Sequence, residues 1–87
     1  METKRKLVIR TEYESYEIEI FADFWRYYLF VNGKEYDFSI STKSIEKRPL
    51  KALIGNDVIE ARFAIAFSLL HPVTIRILVN NVVVGNT

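Results

Sequence analysis

Charge is distributed very unevenly along this chain, and that limits what it can fold into. The sequence has 12 basic and 11 acidic side chains, yet beyond Lys51 only Asp57, Glu60, Arg62 and Arg76 are charged. A stretch so long and so poor in charge has to be covered, either by the rest of the chain or by another molecule. Aromatic residues concentrate instead between Tyr13 and Phe38. The two halves are therefore expected to supply opposing layers of one core. With 87 residues the chain has room for a single domain, residues 1–87, that buries about 60% of its unfolded surface and is stable by a narrow margin.

Composition narrows the chemistry. The chain has no cysteine and one histidine, so disulfides and thiolate sites are excluded and metal ligands are reduced to carboxylates. No cofactor is expected. The basic start is followed only by Leu7-Val8-Ile9 before Arg10, too short for the apolar region of a secretory signal. The longest apolar stretch, Phe63 to Leu70, falls far short of the roughly 20 residues of a membrane span. A cytoplasmic protein is the expectation.

Asn32-Gly33, between Trp25–Val31 and Lys34–Ile40, marks a hairpin with a two-residue turn, because both central positions need positive φ. Strict pairing outward from the turn sets Val31 opposite Lys34, Phe30 opposite Glu35, Leu29 opposite Tyr36 and Tyr28 opposite Asp37. Asn80-Asn81, between Val73–Val79 and Val82–Gly85, suggests a second hairpin. Leu29 to Gly33 resembles Ile77 to Asn81, but five positions of hairpin chemistry are too few to claim a duplication. Leu7–Thr11 and Tyr16–Ala22 alternate as strands, with Tyr16, Ile18 and Ile20 inward and Glu17 and Glu19 outward.

One segment carries helical spacing. Asp57 and Glu60 match a capping box ahead of an apolar run that Pro72 stops after His71. Residues 41–56 read as a connection tethered by Ile45, Leu50, Leu53 and Ile54. The expected architecture is α+β, in the order β-β-β-β-α-β-β, with about six antiparallel strands and one helix packed on a face.

Catalytic constellations are weak. His71 is the only imidazole and sits at the expected end of a helix, where it caps the dipole. Glu35 with Asp37, and Glu17 with Glu19, show ordinary strand alternation, so no enzyme is expected. Two binding readings remain. The first is a small non-enzymatic protein-interaction module, homodimeric or docking a small protein partner, that uses Phe24, Arg26, Tyr28 and Phe30 or Arg62, Leu78 and Val83. A six-stranded sheet is about 29 Å wide and a helix about 10 to 12 Å, so one helix leaves apolar surface for a partner. The alternative is nucleic-acid binding through basic clusters at 4–10 and 43–51, with Lys4, Arg5, Lys6, Lys47, Arg48 and Lys51. It is opposed by the acidic block Glu12 to Asp23 and a pI near 8.0.

Overall fold

The computed structural model describes residues 5–23, 26–39, 45–65 and 73–87, and they build eight strands. β1 (Lys6–Tyr13), β2 (Tyr16–Ala22), β3 (Tyr27–Val31) and β4 (Lys34–Phe38) form one antiparallel sheet in sequential order. β5 (Leu50–Ile54), β6 (Asp57–Ile65), β7 (Val73–Val79) and β8 (Val82–Asn86) form a second sheet of the same kind. Among the described residues the fold is all-β, and the expected α+β architecture with a helix on a sheet face is overturned.

The segment predicted as a helix is β6 where it is described. Ile59, Ala61 and Phe63 are buried while Arg62 and Ala64 are exposed, a period of two. The residues that looked like a capping box serve other ends. Gly55, at φ 60°, makes the turn from β5 to β6, and Asp57 accepts hydrogen bonds from Tyr16 and Asn80. Two flanking strands satisfy the backbone of β6 on both sides, and this tertiary pairing outweighs the helix propensity of its alanines. The second half of the predicted helix, with His71, lies outside the described residues. The predicted connection contains β5; Ile45 and Leu50 are buried as anchors, but Leu53 is 71% exposed.

Each sheet turns one face to a common core. Ile18, Ile20, Leu29 and Val31 from the first sheet meet Leu50, Ile59, Ala61, Phe63, Ile75, Ile77 and Val79 from the second. The roof that a helix was expected to supply is a sheet of equal size. Sheet faces left bare for want of a roof therefore no longer argue for self-association.

Corresponding bonds reveal an internal duplication. Asn32 Oδ1 accepts from Glu17 N at 2.8 Å, and Asn32 N donates to Glu17 O. Asn80 Oδ1 accepts from Val58 N at 2.9 Å, and Asn80 N donates to Val58 O. Ser39 and Tyr27 exchange two bonds at the far end of the first sheet, as Thr87 and Ile75 do in the second. Both second hairpins carry a bulge at the same place, after Phe30–Glu35 and after Leu78–Val83. The bulge shifts the predicted register, so that Leu29 faces Asp37 and Tyr28 faces Phe38. By this correspondence Tyr16 matches Asp57, Glu19 matches Glu60, Phe21 matches Arg62, Tyr28 matches Arg76 and Glu35 matches Val83. Exchanging the halves converts the contact of β4 with β5 into that of β8 with β1, and both are present. The halves are thus related by an approximate two-fold axis.

Candidate binding face on the second sheet

Because side chains alternate along a strand, each sheet also has an outer face, and the two outer faces have diverged. On the first sheet this face is aromatic and already occupied. Phe21 meets Phe30 edge-on, with centroids 5.1 Å apart, and Tyr28 stacks on Phe38. Arg5, from the start of the chain, lies 3.9 Å above the Tyr28 ring and pairs with Glu35 at 3.3 Å. Tyr28 is buried and its hydroxyl donates to Asp23. Arg26 is exposed, with its backbone N–H held by Asp23 Oδ1. Phe24 lies outside the described residues. The first predicted partner surface is therefore divided: Tyr28 and Phe30 share a face beneath Arg5, while Arg26 immediately precedes β3.

The second sheet carries an open groove of about 440 Å³ on the corresponding face, lined by Arg62, Thr74, Arg76, Leu78, Asn81 and Val83 among others. Three of the predicted partner-binding residues meet here. Leu78 forms the floor, only 4% exposed, and Val83, its cross-strand neighbour, is 51% exposed. Arg62 Nε pairs with Glu60 at 3.5 Å, and one terminal nitrogen donates to Asn81 Oδ1 at 3.4 Å, leaving the side chain 52% exposed. Its partner lies on its own strand two residues back, and β6 had to be recognised as a strand before that could be read.

Arg76 is the residue that sequence reasoning missed. It stands directly opposite Arg62 across β6 and β7, and among the described residues its side chain makes no hydrogen bond or ion pair. The hydrophobic pattern of β7 placed Arg76 on the outer side, but nothing local signalled that another arginine would face it.

The basic clusters of the alternative reading are largely tied to carboxylates. Arg5 pairs with Glu35, Arg10 with Glu19 at 2.7 Å, and Arg48 with Asp37 at 3.2 Å. The Arg10 guanidinium is raised above its ordinary value, first by its hydrogen bond and then by its charge interaction with Glu19. Lys6, Lys47 and Lys51 are exposed, and the Lys51 backbone N–H donates to Asp37. Lys4 lies outside the described residues. Among the described residues no group of three or more metal-ligating side chains is present, and no helix is long and apolar enough to cross a membrane.

Comparison with protein-family models, with curated proteins and with solved structures finds no match for this chain. The candidate face therefore stands on its own geometry.

Proposed function

We propose that this protein is a non-enzymatic protein-interaction module that docks its partner on the outer face of the second sheet. The reading is supported above all by the groove of Arg62, Arg76, Leu78 and Val83, where cationic heads rim an apolar floor on rigid paired strands. Arginine is enriched among the residues that dominate protein interfaces, and a face built on strands needs little ordering when a partner arrives. The corresponding face of the first sheet is filled by Arg5 and supports no such use. Internal pairing of Arg5, Arg10 and Arg48 leaves the nucleic-acid reading weaker support.

Site-specific photocrosslinking in the host cell tests the proposal. A crosslinking residue at Val83 is expected to give a discrete protein adduct, while one at Glu35, the corresponding position of the other sheet, gives none. Adducts from Lys47 that carry nucleic acid, with none from Val83, would replace this reading by the alternative. Light scattering on the purified chain identifies a second copy as the partner if the mass is twice 10.2 kDa.

A further inference from the structure

Arg62 and Arg76 form a cross-strand pair of like charges, directly opposite each other on adjacent antiparallel strands. Side chains in such pairs approach within about 4.5 to 5.5 Å at Cβ, and like charges there destabilise a sheet. A sheet evolved for stability alone would place opposite charges or apolar groups at these positions. The first half of the molecule does so, with Phe21 opposite Tyr28. In the second half Glu60 supplies one carboxylate for two guanidiniums and is engaged with Arg62. The local charge of the three groups is +1, from two arginines and one glutamate, and it is presented over an apolar floor.

The duplicated half shows how this fold covers such a face. There a cation, Arg5, lies on aromatic rings and is held by Glu35. In the second half the three residues that hold the cation have changed: Tyr28 is replaced by Arg76, Phe30 by Leu78 and Glu35 by Val83. A covering group complementary to these replacements carries an anion for the arginines and an aliphatic side chain for Leu78 and Val83. We infer that the groove between Arg62 and Arg76 recognises a carboxylate on an extended acidic-aliphatic segment of a partner protein. Glu60 and Asn81 orient Arg62 from behind, and Arg76 supplies the free donor fork, which suits two-point recognition of a planar carboxylate. The inference rests on the proposed docking face and names what that face reads.

Nuclear magnetic resonance titration of the full chain with blocked peptides tests it, using acetyl-Val-Glu-Leu-Val-amide as the probe and its Glu→Gln version as the control. The acidic peptide is expected to shift the Arg62 and Arg76 side-chain Nε–H resonances and the amides of β6 to β8. Both Arg76→Gln and the control peptide should weaken binding about tenfold, the loss of one charge-assisted contact. Arg76→Gln is also expected to leave the melting temperature unchanged or raised, because it relieves the like-charge pair. Equal binding of both peptides at the groove would overturn carboxylate recognition while leaving the docking face intact. Absence of groove shifts with either peptide would overturn both. A lowered melting temperature in Arg76→Gln would make the arginine structural, and stronger shifts from inorganic phosphate or an oligonucleotide than from the peptide would assign the pair to phosphate instead.

Discussion

The Tyr16 hydroxyl donates to Asp57 Oδ2 at 2.5 Å, and these two residues occupy corresponding positions in the two halves of the molecule. A residue that touches its own counterpart lies at the axis relating the two copies. The bond therefore marks the two-fold axis and ties the first sheet to the second at the entrance of β2 and β6. Asn80 completes the arrangement by donating to Asp57 Oδ1 at 2.9 Å.

This bond sets a pH window. The Tyr16 hydroxyl, and after it the Asn80 amide, hold the Asp57 carboxyl below its ordinary value. The same hydrogen bond, and then burial, raise the Tyr16 phenol above its own. A carboxyl lowered in the folded state adds stability above its unfolded value of about 4 and loses it as pH falls through the folded value; a raised phenol adds stability below about 10 and loses it as pH rises through the folded value. Tyr16→Phe should therefore melt lower than the parent between about pH 5 and 9, with the difference shrinking in strong acid. Melting curves recorded from pH 2 to pH 9 check this, and a constant difference across the acid range would contradict it.

The two turn asparagines should respond unequally. Both sit at φ 51° and both accept a backbone N–H from the second strand of their sheet. Asn32→Ala loses that acceptor and places alanine in the left-handed region, at a cost of about 1 to 2 kcal/mol. Asn80→Ala loses the bond to Asp57 as well and should cost more. Asn→Gly at either site recovers the part due to backbone strain. Urea titration of the four variants gives the order directly.

Gly85 is required by a close approach. A Cβ built there would lie 2.1 Å from Thr11 Oγ1 and 3.0 Å from Thr11 Cβ, where β8 meets β1. Gly85→Ala should cost about 1 to 3 kcal/mol through overpacking. Thr11→Ala in the same chain should return a large part of this by removing the nearest atom. The other half places Asp37 and Ala52 at the matching positions, with the large and small members exchanged. A double-mutant cycle on Thr11 and Gly85 measures the coupling.

The shared core predicts joint failure of the two sheets. Ile18 and Ile59 occupy corresponding sites and are both fully buried. Each Ile→Ala change should cost about 2 to 5 kcal/mol. Tryptophan fluorescence from Trp25, in the first half, and circular dichroism should report the same transition for both variants. Separate transitions for the two signals would mean that the sheets unfold independently.

Local chemistry made much of this architecture legible. Asn32-Gly33 and Asn80-Asn81 encode turns because asparagine and glycine accept positive φ, and Tyr16–Ile20 encodes a strand because its polar and apolar residues alternate. Residues 57–65 were misread because Asp57, Glu60 and the alanines satisfy helical rules as well, and the stronger rule is imposed by strands distant in sequence. The register of the first hairpin failed for a related reason. A bulge at Tyr36 costs ladder bonds, and whether it forms is decided by packing against the core.

The sequence by itself determined the four residues left charged in the second half, the turns, the alternation and the need for an opposing layer, since each follows from nearest neighbours or from the cost of exposing apolar surface. Only the tertiary structure decided that this layer is a second copy of the same meander, and that Arg76 stands opposite Arg62. Both are matters of pairing between strands, and strand pairing is fixed by the whole set of contacts across a sheet, which no single segment contains.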